Sequence, residues 1–127
     1  MVFNSRTLFV IIAMTMIPAS MAQTVDLTCN SDGAVFSCSS FISNFCNSIN
    51  PQSVGAGSSI STCYNGPPAG HSCLLKATNT GSTSHSPSAQ NCETALDAVA
   101  GACSMGGSGE PEGKPFKFSL NPNSGSC

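Results

Sequence analysis

Apolar residues recur at intervals of three and four in two stretches of the chain. Cys38, Phe41, Ile42, Phe45, Cys46 and Ile49 form one stripe, and Cys92, Ala95, Leu96, Val99 and Cys103 form another. That period puts each set along one side of an α-helix. Ser31 or Asp32 is placed to cap the first helix. Asn50-Pro51 ends it, because the residue before a proline avoids helical dihedrals. Ser88 is placed to cap the second helix, and Glu93 suits the positive end of its dipole. Gly106-Gly107 stops that run.

Alternation replaces the helical period elsewhere. Pro115 to Leu120 places Phe116, Phe118 and Leu120 on one face and Lys117 and Ser119 on the other, as a half-buried strand does. Ser59 to Tyr64 and Ser72 to Thr78 flank Asn65-Gly66-Pro67-Pro68-Ala69-Gly70, which reads as a hairpin loop. Gln23 to Thr28 adds an edge strand. Gly81 to Pro87 and Ser104 to Lys114 are polar and read as surface loops. The resulting β-α-β-β-α-β order predicts an α+β fold: a disulfide-stapled α/β sandwich with two helices packed on a small, mostly antiparallel sheet.

A different pattern precedes these elements. Arg6 is followed by the apolar run Leu8 to Ile17, then Pro18 and the small residues of Ser20-Met21-Ala22. This is the layout of a secretory signal peptide, so residues 1–22 are expected to be removed and 23–127 to form a single cysteine-rich secreted domain. The apolar run falls short of the ~20 residues a bilayer span needs, so no membrane span is expected. The mature protein is expected to be extracellular.

All eight cysteines follow that leader: Cys29, Cys38, Cys46, Cys63, Cys73, Cys92, Cys103 and Cys127. An even count in a short secreted chain reads as a disulfide framework. The domain has few large side chains to bury, with no tryptophan and one tyrosine. Four disulfides at about 2–4 kcal/mol each would supply what so small a core cannot. The cysteines are spaced too widely for a zinc site, and no metal or cofactor is expected.

Charge narrows the functional classes. After the leader only Lys76, Lys114 and Lys117 are basic, against six acidic residues. Nucleic-acid binding draws on clustered positive charge, which is absent. Serines are abundant, but no Gly-x-Ser-x-Gly elbow accompanies His71 or His85. Glu93 and Asp97, the closest pair of carboxylates on one element, fall on the solvated side of their helix. The chain reads as a binding protein and not as an enzyme.

The last third carries a family resemblance. Asn91-Cys92-Glu93 opens a helix, Gly101-Ala102-Cys103 closes it and Gly106-Gly107 follows. Phe116-Lys117-Phe118 then leads into Asn121-Pro122-Asn123-Ser124-Gly125-Ser126-Cys127. This resembles the small secreted fungal glycan-binding proteins of the Y3 type and, more distantly, the KP4-type killer toxins. The resemblance implies a helix-sheet sandwich and, for the Y3 type, lectin-like recognition of a glycan or glycoprotein, including a host surface component. The killer-toxin branch implies instead a secreted effector acting on a membrane or protein target. Compared proteins carry a tryptophan near the final strand, and this chain has none. Phe116 could replace it, although its alternation with Phe118 assigns it to the core.

The candidate carbohydrate-binding residues are therefore Tyr64 and Asn65 at the hairpin loop and Asn121 and Asn123 in the tail, since amides suit sugar hydroxyls and a ring suits the sugar's apolar face. Cys38 and Cys73 are additional to the compared pattern and are expected to pair with each other. Cys29–Cys103, Cys46–Cys92 and Cys63–Cys127 then complete the set, one of many arrangements that eight cysteines allow. A homodimer through an exposed strand edge is compatible with so small a sheet.

Overall fold

The computed structural model describes residues 24–127; the expected signal peptide lies outside the described residues. Five strands form one antiparallel sheet: β1 Val25–Cys29, β2 Ser59–Gly66, β3 His71–Asn79, β4 Gly107–Pro111 and β5 Phe116–Ser124. Their order across the sheet is β1-β4-β5-β3-β2, so the long central strands β5 and β3 are flanked on both sides. Two helices complete the α+β fold: α1 Ile42–Ile49, entered through a 3-10 turn at Ser39–Phe41, and α2 Ala89–Ala102.

Both helices lie on one face of the sheet. Ile42, Phe45, Cys46 and Ile49 of α1 and Cys92, Ala95, Leu96 and Val99 of α2 are buried. They meet Leu75, Ala77, Phe116, Phe118 and Leu120 in a single apolar core. Strand alternation dictates which sheet residues face the helices. In β5 these are Phe116, Phe118, Leu120 and Pro122, paired with Asn79, Ala77, Leu75 and Cys73 of β3. The intervening residues form a second face that carries no helix among the described residues, the helix-free face.

The four disulfides are Cys29–Cys103, Cys38–Cys73, Cys46–Cys92 and Cys63–Cys127, the pairing expected from the resemblance. The first three act within the helical layer. They tie β1 to the end of α2, the approach to α1 to β3, and α1 to α2. Cys63 alternates with the helix-facing Thr62 and Tyr64, so the fourth bridge lies on the helix-free face.

Four expectations need correction. Ser104 to Lys114 is not a loop throughout, because β4 runs through it and the order becomes β-α-β-β-α-β-β. The helix-facing positions of β4 are Gly107, Gly109 and Pro111, so the strand lacks an apolar alternation to read. A Cβ on Gly107 would stand 2.3 Å from the Thr28 carbonyl oxygen, and one on Gly109 would stand 3.2 Å from that of Ala95. Glycine there lets β1 and α2 approach the strand backbone.

The first helix also starts later than expected. Ser31 and Asp32 lie well before it, and its entry has no side-chain cap. The second helix is capped as expected, with Ser88 Oγ accepting from Asn91 N at 3.2 Å. It ends at Ala102, short of the glycines. Gly106, at φ +82°, makes the turn into β4 instead, a conformation open to glycine at little cost. Finally, β2 and β3 pair as far as Asn65↔Ser72 and Gly66↔His71, so the hairpin loop shrinks to Pro67–Gly70.

Candidate carbohydrate-binding face

The longer β2 and β5 decide where the candidate residues point. Asn65, Asn121 and Asn123 stand in strands, and all three occupy the helix-free face. Asn65 and Asn123 flank Ser72 of β3 in register, and Asn121 lies opposite Leu74. Tyr64, one residue from Asn65, necessarily takes the opposite face. Its ring stacks on Phe41, with centroids 4.9 Å apart and planes 13° from parallel. Burial pushes the Tyr64 phenol above its ordinary pKa, and a hydrogen bond with Ser48 acts the other way. Tyr64 is thus half-buried against α1, separated from the three asparagines by the sheet.

The carboxamides are held by neighbours. Asn30 Nδ2 donates to Asn121 Oδ1 at 2.7 Å and to the Met105 carbonyl at 3.1 Å. The Asn121 amide group is left as a donor. Cys127 N donates to Asn65 Oδ1 at 2.9 Å, leaving the Asn65 amide as a second donor. Asn123 Nδ2 donates to the Asn121 carbonyl at 3.4 Å, which leaves Asn123 Oδ1 as an acceptor. Two donors and one acceptor with fixed orientation suit the vicinal hydroxyls of a sugar ring.

The rest of this face is of the same character. One transverse row reads Thr28, Ser108, Ser119, Lys76 and Ser61, each in register with the next across all five strands. The adjoining row holds Asn121, Leu74 and Cys63. Leu74 is half-buried and, with the Cys63–Cys127 bridge beside it, forms a small apolar spot among hydroxyl and amide groups. Three strands at ~4.8 Å spacing and two rows at ~7 Å give a patch of disaccharide size.

Other surfaces differ in chemistry. A groove of about 270 Å³ on the helical side is lined by Val35, Phe36, Ala100, Leu120 and Pro122, among others. Val35 is 67% exposed there. His71 packs edge-on against Phe36, with centroids 4.6 Å apart. His85 Nε2 lies 3.2 Å from Thr83 Oγ1. On α2, Asp97 is exposed and Glu93 half-buried. Among the described residues, no group of three or more His, Cys, Asp or Glu side chains could hold a metal ion. No described helix is long and apolar enough to cross a membrane.

Sequence reasoning missed Asn79. Its side chain is fully buried, with Nδ2 donating to the carbonyls of Val54 at 2.8 Å and Thr83 at 2.9 Å and Oδ1 accepting from Gly81 N at 2.8 Å. It joins two loops, the one between α1 and β2 and the one between β3 and α2, at the end of the sheet away from Asn65. Its role is structural.

Comparison with known proteins points to a family. Residues 37–127 match the model of the glycan binding domain Y3. The antiviral protein CAP of Coprinus comatus is 33% identical over 96 residues, covering 73% of this chain and 93% of that protein. The matched span contains both helices, strands β2 to β5 and all three candidate asparagines.

Proposed function

We propose that this chain, which belongs to the Y3 family of glycan-binding domains, recognises carbohydrate non-covalently through the helix-free face of its sheet. The observation that carries this reading is the convergence of Asn65, Asn121 and Asn123 on one face, with their carboxamides oriented by Cys127, Asn30 and the Asn121 carbonyl. Lys76 and Ser119 extend the hydrogen-bonding row, and Leu74 offers an aliphatic contact for the C–H side of a pyranose. No aromatic platform is required for this mode. Affinity then comes from several modest hydrogen bonds on preordered groups, each worth about 1 kcal/mol net.

The reading places the domain outside the cell. Disulfides pair all eight cysteines, an arrangement that persists in oxidising compartments. The domain is taken to begin near Gln23, after the leader. Its partner is then a glycan or glycoprotein on a cell or particle surface, a class that fits the antiviral relative. Because β1 and β2 are the outermost strands, each offers an edge through which a homodimer could extend the sheet.

A glycan array probed with the oxidised protein tests the reading, alongside Asn121→Ala and Asn123→Ala. Binding to at least one glycan class, weakened by each substitution without loss of melting temperature, is the expected result. Binding unaffected by both substitutions would assign recognition elsewhere.

A further inference from the structure

The segment after β5 does not continue the sheet. β5 ends at Ser124, opposite His71, and the chain then bends at Gly125, whose φ is +96°. Gly125 N donates to the Gly70 carbonyl at 2.6 Å. Two residues later, Cys127 N donates to Asn65 Oδ1 and Cys127 Sγ bonds to Cys63. Cys63 and Asn65 belong to β2 and point to the helix-free face. Residues 125–127 therefore pass from β5 across β3 to β2 over that face. Ser72 of β3 lies under the crossing, between Asn65 and Asn123, and is only 3% exposed although neither described helix is on that face.

We propose that residues 125–127 form the wall closing one end of the sugar-binding face, that Cys63 and Cys127 are positioning residues acting through that wall, and that the wall in turn orients Asn65 as a direct donor to the sugar. The proposal rests on the reading of this face as the sugar site. Three observations support it. The crossing ends the flat polar patch just beyond the row of Asn121, Leu74 and Cys63, giving an otherwise open surface a raised edge. The Cys127 N–H donates to Asn65 Oδ1, which turns the Asn65 amide into an oriented donor beside that edge. The three other disulfides already join both helices to the sheet or to each other, so the fourth is available for a local task.

Preordering is the physical gain. A tail free in solution would have to be fixed when the sugar binds, and fixing one backbone residue corresponds to roughly tenfold in affinity. Holding residues 125–127 in place beforehand removes that cost. Cys63 and Cys127 are both exposed, whereas each of the other bridges holds at least one buried cysteine. The clamp can therefore be released without opening the core.

The test compares the oxidised protein with the Cys63→Ser/Cys127→Ser double variant and with Asn65→Asp. Affinity is measured for the glycan that binds the unmodified protein most strongly on an array, and amide hydrogen exchange is followed at Ser72 and Cys127. The double variant is expected to keep its circular dichroism spectrum, to exchange Ser72 faster and to bind at least tenfold more weakly. Asn65→Asp keeps the acceptor for Cys127 N–H, so slow exchange at Cys127 should persist while the lost amide donor weakens binding. If the double variant does not fold, limited reduction and alkylation of Cys63–Cys127 in the folded protein gives the same comparison. Released tail with affinity within twofold of the unmodified protein overturns the proposal and leaves the sugar reading standing. Absence of binding to any glycan by the unmodified protein removes both.

Discussion

Replacing Asn79 by alanine should unfold the protein more readily than its position at a strand end suggests. The side chain is 0% exposed and makes three hydrogen bonds of 2.8–2.9 Å, to Val54, Thr83 and Gly81. At about 1 kcal/mol net per bond, their loss costs about 3 kcal/mol. The partners left behind are backbone groups that must find water or go unpaired. For a domain of this size, that cost lowers Tm by roughly 12 °C or more. Asn79→Asp sharpens the test. The acceptor toward Gly81 survives, but a protonated carboxyl has one O–H and keeps a donor toward only one of the two carbonyls, and an ionised carboxylate keeps neither. Burial and those carbonyls raise the carboxyl pKa in the folded state above its unfolded value. Stability is then greatest below the unfolded pKa and falls as pH rises through the folded one. Chemical denaturation of both variants across pH measures this. A loss below about 1 kcal/mol for Asn79→Ala, with no pH dependence for Asn79→Asp, would refute the assigned network.

Other consequences follow from the same geometry. Tyr64 is the only tyrosine and the chain has no tryptophan, so its ionisation can be followed by ultraviolet absorbance without interference. Its midpoint should lie above the ordinary value of 10.0, because burial outweighs the Ser48 hydrogen bond. The stability that the neutral phenol contributes should be fully present below that ordinary value and lost as pH rises through the folded midpoint; a midpoint at or below 10.0 would contradict the stacked, half-buried placement. Gly107→Ala should lower stability by about 3 kcal/mol or prevent folding, since the new Cβ would stand 2.3 Å from a backbone oxygen that no rotamer change can move. Recovery of a soluble variant with unchanged melting would show that β1 and β4 are not so closely apposed. Phe45→Ala, which empties a fully buried site between the helices and the sheet, should cost about 3–5 kcal/mol by chemical denaturation; a loss under about 1 kcal/mol would remove Phe45 from the core.

Much of this architecture is legible in the residue pattern, and the exceptions have physical causes. Both helical stripes were readable because apolar residues at a 3.6 period leave few alternatives. The disulfide partners came from the family resemblance, which the cysteine spacing alone could not supply. β4 was invisible because two of its helix-facing positions, Gly107 and Gly109, are glycines against the Thr28 and Ala95 backbones, and a strand without apolar alternation reads as a loop. The candidate site was half legible. Amides at Asn65, Asn121 and Asn123 stood out, yet their shared face depends on β2 and β5 running on through Gly66 and Ser124. Once those strands are extended, parity alone puts Asn65 on one side and Tyr64 on the other. Asn79 carries no local signal, because its partners at Val54, Thr83 and Gly81 are brought together only by the fold.

The most direct test of the account is a residue-resolved NMR titration of the oxidised protein with a glycan that it retains on an array. The account predicts amide shift changes confined to the helix-free face, at Asn65, Leu74, Lys76, Ser119, Asn121 and Asn123. Changes centred instead on Val35, Phe36 and Ala100, in the groove on the helical side, would contradict it.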